Sequence, residues 1–249
     1  MPLKDSDAIV LRSYPLREAD LLVNFFTRSE GKLRGVARHA MKSRQRFGGA
    51  LEPLTRVRVY WEDREGQDLA RIDSCDVLAS PLSERVDYPR AVALAHVAEV
   101  LDEVLPDREA NDAMFRLASA VLPSLRPAEI WAALTYFDLW IVRLTGFLPE
   151  IGSCVVCGAE LNKQSSLAYF HPLSVGLMCA DDKRLASTEL AWESRMMAQN
   201  MLRAPLERFL GLAEDWPKNR CADLRRFLVQ RLEQHIEKKL VTVTMLAKL

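Results

Sequence analysis

Three cysteines and an aspartate have the spacing of metal ligands. Cys154 and Cys157 form a CxxC pair that is followed by Gly158, and Cys179 comes after 21 intervening residues. A CxxC pair brings two thiolates within reach of one metal ion, and the glycine permits the tight turn of a zinc knuckle. Asp182 occupies the position, three after Cys179, where a complete CxxC…CxxC pattern has its fourth cysteine. We expect a structural Zn²⁺ site, because four protein ligands leave no open coordination position.

The identity of the fourth ligand stays open at this point. Asp182 has the right register, whereas His171 lies between the cysteines and is chemically the better zinc ligand. Asp181 is a third candidate. The competing interpretations are a redox CxxC pair, whose usual βαβ context is missing from the sequence, and thiols that pack without a metal.

A second group of residues could bind phosphates. Six basic residues fall within the fifteen positions from 32 to 46, which contain no acid, and two more follow on the next predicted strand. Cations arranged in this way neutralise phosphates and release counterions, although basic loops also serve solubility alone. We expect the DNA-binding residues to be Lys32, Arg34, Arg38, Lys42, Arg44, Arg46, Arg56 and Arg58. We further expect a mobile loop at Met41–Arg44, with Phe47 and Tyr60 either stacking on bases or packing in the core.

The elements that must position these residues differ between the two ends of the chain. Residues 1–80 contain five short β-rich runs, such as Arg56–Trp61, in which apolar and basic residues alternate. Five short strands predict a small closed barrel, and the OB-fold is the natural candidate. Residues 81–249 are mostly helical in pattern, with an apolar helix at 128–144, an insertion at 150–184, and helix again from about Thr188. The predicted fold class is therefore α+β: an N-terminal OB-fold barrel, then a helical domain with a zinc-ribbon-like insertion.

Composition narrows the classes of function. The chain has 34 basic and 34 acidic residues, so a nucleic acid must be bound by a local patch rather than by net charge. Residues 1–7 are polar, unlike a signal peptide, and no long uncharged apolar run suggests a membrane span. Five cysteines, an odd number, argue against a disulfide framework and for a cytoplasmic protein. The P-loop, GxGxxG, HExxH and GxSxG motifs are absent from the sequence, so we expect no catalytic residues and no enzyme.

Three segments, in order, resemble the RecO family of recombination mediators. The first is the opening of the chain, the second is a basic loop with the strand entry after it, and the third joins the helical domain to the cysteine pair. They are Ala8–Leu11 with Arg17–Val23, Phe26-Thr27 and Gly31-Lys32; Lys42–Arg44 with Leu51–Leu54; and Gly146–Pro149 with Cys154–Gly158. Asp182 departs from the family pattern, which often has cysteine there.

The resemblance implies a DNA repair protein that binds single- and double-stranded DNA and anneals complementary strands. With RecR as a partner, it would help to load RecA onto strands coated by single-strand binding protein, and it would associate with the nucleoid. It would also bind the acidic tail of the single-strand binding protein, for which Arg225, Arg226 and Arg231 offer either a basic rim or merely a solvated helix face. The alternatives are a zinc-ribbon adaptor with an incidental basic face and a metal-dependent nuclease.

Overall fold

The computed structural model describes residues 2–63, 66–163, 165–212 and 216–249. Contacts divide the chain into two compact units, one of Met1–Pro123 with Thr244–Leu249 and the other of Ser124–Val243. In the described ranges, no helix combines the length and the apolar character that crossing a membrane requires.

The first unit contains a closed five-stranded barrel. Its strands are β1 (Lys4–Arg17), β2 (Asp20–Thr27), β3 (Gly31–Ala37), β4 (Arg56–Glu62) and β5 (Ala70–Ala79). Their order around the barrel is β1-β2-β3-β5-β4, and β3 pairs with β5 in parallel while the other pairs are antiparallel. This OB-like barrel confirms the predicted N-terminal fold.

Alternation along each strand fills the barrel interior. In β4, Val57, Val59 and Trp61 are fully buried, whereas Arg56 and Arg58 lie on the other face. Ala8 and Val10 of β1 belong to the same core. The predicted two-residue period of β4 is therefore confirmed, and it directs the arginines outwards.

Two helices complete the first unit around the barrel. They are α1 (Tyr88–Val104) and α2 (Asp112–Val121). The Asp87 carboxylate accepts a hydrogen bond from the Arg90 backbone N–H and caps α1, which packs against β1. Asp102 of α1 pairs with Arg12 of β1 at 2.7 Å. The chain division expected at residues 80 and 81 stays a prediction.

The connection between α1 and α2 lies directly on the turn between β2 and β3. Arg108 donates to Glu30 (2.9 Å) and to Asp63 (2.7 Å), and Lys4 pairs with the same two acids at 2.7 Å each. The hydrogen bonds that Lys4 donates to Asp63 and Glu30 raise its pKa. The four charges tie this connection to β1, to the β2–β3 turn and to the end of β4.

Gly31, at the start of β3, makes this close contact sterically possible. Its φ is +70°, and a Cβ there would lie 1.9 Å from the backbone oxygen of Glu109. We expect Gly31→Ala to lower the free energy of unfolding by about 3 kcal/mol, since backbone strain and a clash with backbone add. Urea denaturation measures the loss. The control, Gly49→Ala, places its Cβ in open space, so equal losses in the two variants would contradict this account.

The second unit is mostly helical and carries a small hairpin. Its elements include α3 (Ile130–Leu144), β6 (Leu167–Phe170), β7 (Thr188–Ala191), α4 (Trp192–Arg203), α5 (Leu206–Leu212) and α6 (Ala222–His235). A further short helix, α7, spans Val241–Ala247, and the division between the two units falls within it. The helix expected from Thr188 begins only at Trp192, because Thr188–Ala191 pairs with β6 as a strand.

One residue of α6 fixes the start of α4. The Asp223 carboxylate accepts hydrogen bonds from the Ala191 backbone N–H (2.8 Å) and from the Ser194 hydroxyl (2.6 Å). It thereby caps α4 from another helix, since Ala191 itself has no capping side chain. The cap fixes the point at which the hairpin turns into helix.

Candidate nucleic-acid interface and metal centre

Four of the eight basic candidates already pair with acids on the barrel surface. Asp107 lies 3.4 Å from the Lys32 ammonium and 3.3 Å from the Arg34 guanidinium. Arg58 donates to Asp5 and to Asp7, and Arg56 lies 4.0 Å from Asp7. The hydrogen bonds that Arg58 donates to Asp7 and Asp5 also raise its pKa. Arg34, Arg56 and Arg58 are each still more than a third exposed, but their charges are partly neutralised within the protein.

Arg46 organises the loop between β3 and β4. Its guanidinium donates to the carbonyl oxygens of Arg38 (2.7 Å) and Asp73 (3.4 Å), and it lies 5.0 Å from the centre of the Phe47 ring. Phe47 is only 2% exposed and belongs to the barrel core. Arg46 is therefore positioned as an anchor, and Phe47 packs in the core rather than stacking on bases.

The loop that Arg46 anchors is ordered by hydrogen bonds and apolar contacts. Lys42 N–H donates to the His39 carbonyl at 3.0 Å, and Ala50 N–H donates to the Phe47 carbonyl at 2.7 Å. Ala40, Phe47 and Ala50 are buried in the barrel core. The expectation of a mobile loop at Met41–Arg44 stays a prediction, but the residues on both sides of it are fixed in the barrel core.

Three basic residues of this loop point into solvent without a partner. Arg38, Lys42 and Arg44 are exposed, and in the described part of the chain no acid lies within ion-pair distance of them. We call these three residues the loop cations. A polyanion can bind these three cations without breaking an ion pair inside the protein. The four paired residues differ in this respect.

A groove beside the loop cations contains two arginines that lie outside the basic stretch of the sequence. The arginine groove is lined by Leu16, Arg17, Asp20, Val36, Arg38, Gln67, Leu69, Ala70 and Arg71. Arg17 and Arg71 lie outside the basic stretch, at the end of β1 and near the start of β5. The predicted OB-fold could have indicated Arg17 and Arg71, because the binding face of that fold includes the loops after strands 1 and 4.

The predicted cysteine cluster comes together in the second unit. The ligand atoms of Cys154, Cys157, Cys179 and Asp182 all lie within 4.8 Å of one another. Asp182 Oδ2 is 3.2 Å from both Cys154 Sγ and Cys179 Sγ, and the Sγ atoms of Cys157 and Cys179 are 3.8 Å apart. The group can therefore hold a metal ion.

Backbone hydrogen bonds bring these four residues together. Gly158, with φ +76°, donates its N–H to the Cys154 carbonyl and closes the turn of the CxxC pair. Val155 N–H donates to the Leu177 carbonyl at 2.8 Å, which places the segment before Cys179 beside the pair. Met178, just before Cys179, also forms an antiparallel bridge with Tyr169.

Hydrogen bonds within the cluster shift the pKa values of its members. Burial acts to raise the pKa of the Cys154 thiol, but backbone N–H groups of Cys157, Cys179 and Val156 outweigh it and lower the pKa. The hydrogen bond to Asp182 raises the pKa of the exposed Cys157 thiol to about 12. Thiol hydrogen bonds lower the pKa of Asp182. A carboxylate surrounded by three thiols is a concentrated set of donor atoms that a metal ion would neutralise.

The donor set fits a tetrahedral ion. Metal–sulfur bonds of about 2.3 Å at tetrahedral angles separate two sulfurs by about 3.8 Å, the distance found between Cys157 and Cys179. His171 is not part of this group, since its Nδ1 accepts a hydrogen bond from the Leu173 backbone N–H at 3.1 Å. Of the three candidate fourth ligands left open by the sequence, Asp182 is the one that lies with the three sulfurs.

Two of the three helix arginines suggested as a basic rim have other contacts. Arg225 donates to the carbonyl oxygens of Arg220 and Lys218, and burial lowers its pKa. Arg231 donates to the carbonyl oxygens of Phe147 and Ser174, each at 3.2 Å. Only Arg226 of the three is exposed. Arg225 and Arg231 therefore hold together the second unit rather than forming a rim for a peptide.

Comparisons with known proteins cover nearly the whole chain. The family model described as Recombination protein O N terminal matches residues 1–81, and the one described as Recombination protein O C terminal matches residues 85–243. A protein named DNA repair protein RecO from Koribacter versatilis (strain Ellin345) is 69% identical over 247 residues, which are 99% of each chain. The protein of that name from Anaeromyxobacter sp. (strain Fw109-5) is 30% identical, over 93% of this chain and 91% of the relative. These matches agree with the OB-like barrel and with the resemblance read from the three segments, so the chain belongs to the RecO family of DNA repair proteins.

Proposed function

We propose that this chain is a recombination mediator that binds single- and double-stranded DNA and anneals complementary strands without catalysing a covalent reaction. With RecR, it helps to load RecA onto strands coated by single-strand binding protein. The observation that carries the proposal is the set of loop cations on an OB-like barrel in a RecO family chain. Unpaired cations beside an OB-type binding face suit a flexible polyanion.

Annealing also needs a surface whose affinity for each strand is moderate. The paired cations Arg34, Arg56 and Arg58 lie on the same barrel as the loop cations, but their acids lower the local positive charge. Moderate electrostatic binding lets one strand slide against another, because phosphate contacts exchange with counterions. We therefore propose that the loop cations make the main phosphate contacts, and that the paired residues, with Lys32 and Arg46, contribute less.

The proposed ion at the cysteine cluster is Zn²⁺, with a structural role. Three thiolates and a carboxylate suit zinc, and four protein ligands leave no coordination position for a substrate. When bound, zinc would offset part of the negative charge of the ligands. Cys154 and Cys157 would hold the metal at one turn, and Cys179 and Asp182 would tie the following segment to it.

A groove in the second unit supports the tail of the single-strand binding protein as a partner. Met197, Phe209 and Trp216 line it together with Arg203 and Arg208. An acidic peptide with an apolar end needs apolar contacts beside basic groups, and this groove has both. RecR is proposed as a partner from family membership alone.

An annealing assay tests the proposed function. The purified chain should accelerate pairing of complementary oligonucleotides without ATP, and its affinity for a single strand should fall as salt rises. The log–log slope should be about −0.7 for each phosphate contacted. Negligible affinity at low salt together with tight protein binding would instead favour a zinc-ribbon adaptor. Cleavage of DNA on addition of a divalent cation would favour a nuclease.

A further inference from the structure

The cysteine cluster contains one pair of thiols that is open to solvent. Cys157 is exposed and Cys179 is half-buried, and their Sγ atoms lie 3.8 Å apart. Val155 and Val156 before Cys157 are also exposed, as are the three residues after it. Cys154, in contrast, is only 3% exposed, and its Sγ accepts a hydrogen bond from the Cys179 backbone N–H at 3.4 Å. A small oxidant can therefore reach Cys157 and Cys179 more easily than Cys154.

The backbone allows Cys157 to approach Cys179. A disulfide bond is about 2.05 Å long, so the two sulfurs must move together by about 1.8 Å from their separation of 3.8 Å. Gly158 follows Cys157 at the turn, and a Cβ placed there would meet no atom within 4 Å, so the turn has room to shift. Cys154 is held more firmly, since it is buried and its N–H donates to the Ala159 carbonyl at 2.8 Å. The geometry thus favours one disulfide over the others that three cysteines could form.

Two thiols at this separation can reduce one molecule of hydrogen peroxide. The O–O bond breaks and an S–S bond forms, the two sulfurs supply two electrons, and each oxygen leaves as water. The two protons come from the thiols, or from solvent when a metal ion holds the sulfurs as thiolates. The hydrogen bond to Asp182 raises the pKa of Cys157 in the metal-free chain, but a sulfur bound to a metal ion carries no proton. That hydrogen bond therefore does not protect Cys157 when the ion is bound.

We propose that Cys157 and Cys179 are an oxidation site, at which hydrogen peroxide converts the two thiols into a disulfide. The exposed Cys157 sulfur takes one peroxide oxygen as a sulfenic acid, and the Cys179 sulfur then displaces that oxygen as water. Cys154 and Asp182 are left as ligands, and two ligands are too few for a structural metal site, so the ion is released. The disulfide rests on the thiol geometry alone, whereas the release of an ion rests on the proposed zinc.

Peroxide treatment of the zinc-loaded chain tests this proposal. Thiol titration of the treated and then unfolded chain should find two free thiols fewer than the five in the sequence, and one equivalent of zinc should appear in solution. Mass spectrometry of a digest should show the peptides of Cys157 and Cys179 joined. Dithiothreitol with added zinc should restore all the thiols and the bound ion, because a disulfide can be reduced and a sulfinic acid cannot.

Two serine variants separate this disulfide from general oxidation of thiols. Cys157→Ser should lose thiols about tenfold more slowly than the wild type, since susceptibility follows exposure and the exposed sulfur is gone. Cys221→Ser is the control, because Cys221 does not belong to the cluster, so the joined peptides should form at the wild-type rate. Equal rates of thiol loss in the two variants would contradict the proposal. The joined peptides of the wild-type chain decide the matter even if Cys157→Ser fails to fold.

The outcomes distinguish the oxidation site from the proposed zinc ion. If the purified chain carries no zinc but still joins Cys157 to Cys179, the zinc proposal is wrong and the oxidation site stands. If zinc stays bound and no thiol is lost in excess peroxide, the oxidation site is wrong and the zinc proposal stands. A disulfide between Cys154 and Cys157, or an oxidation that dithiothreitol does not reverse, would also overturn the oxidation site.

Discussion

Replacing the loop cations Arg38, Lys42 and Arg44 with glutamine is expected to weaken binding to a single-stranded oligonucleotide by about 100-fold at 0.1 M salt. Each phosphate contact on a single strand contributes about 0.7 to the log–log salt slope, so three lost contacts remove about 2.1 from the slope and about two decades of affinity at this salt. The three side chains are exposed, so the fold and the thermal midpoint should stay unchanged. Fluorescence anisotropy over a range of salt concentrations measures both quantities.

The matched control removes the same charge from the same barrel. Arg34, Arg56 and Arg58 are changed to glutamine, but these side chains already pair with Asp107, Asp7 and Asp5. Their loss should weaken binding by less than about tenfold, because phosphates must compete with the carboxylates for them. Equal losses in the two triple variants would mean that net charge governs binding. No loss in the loop variant would remove the loop from the DNA interface.

The contrast between these variants could not be designed from the sequence. The eight basic candidates from Lys32 to Arg58 look alike in the sequence, but the acids that neutralise part of their charge lie far away along the chain. Asp7 is 51 residues from Arg58, and Asp107 reaches β3 from the connection after α1. The pairing of β1 with β4 brings Asp7 next to Arg58. Local patterns predict strands, whereas the neighbours of a side chain depend on register and topology.

The fold can be predicted from the sequence more fully than these ion pairs can. Alternation in β4 and turn residues between strands predict a five-stranded barrel, because burying one face is a local property of each strand. The extension of β1 to Arg17 was missed, since Pro15 interrupts the pattern and the residues after Leu11 are mostly exposed. This extension supplies a wall of the arginine groove. The part of the barrel that sequence patterns describe least well thus contributes Leu16 and Arg17 to this groove.

The cysteine cluster shows how far spacing alone can predict a site. The CxxC pair and Cys179 were found directly, and the position three after Cys179 selected Asp182, which the structure places 3.2 Å from two of the sulfurs. Ligand chemistry favoured His171 instead, but its ring accepts a local backbone hydrogen bond. The register of a zinc knuckle was therefore a better guide than the intrinsic preference of the metal for imidazole.

Removal of the metal ligands is expected to have the largest effect on the second unit. The wild-type chain should carry one equivalent of zinc after purification, and Cys154→Ser should carry less than a tenth of that. Cys154 is 3% exposed and lies beside both Cys179 and Asp182, so its loss removes the central thiolate of the group. Structural zinc contributes about 10–16 kcal/mol in zinc-finger peptides. We therefore expect hydrogen exchange in residues 150–184 to become fast in this variant or on addition of a chelator.

The fourth ligand is identified by a pair of variants. Asp182→Ala should lose most of its zinc to a moderate chelator, whereas His171→Ala should retain it, because only Asp182 has an oxygen close to the sulfurs. Asp182→Cys should bind zinc more tightly than the wild type, since a fourth thiolate completes a Cys₄ site. Zinc loss in His171→Ala with retention in Asp182→Ala would overturn this assignment. Affinity for DNA should stay the same in Asp182→Ala, because the proposed DNA contacts belong to the barrel unit and not to the unit that contains the cluster.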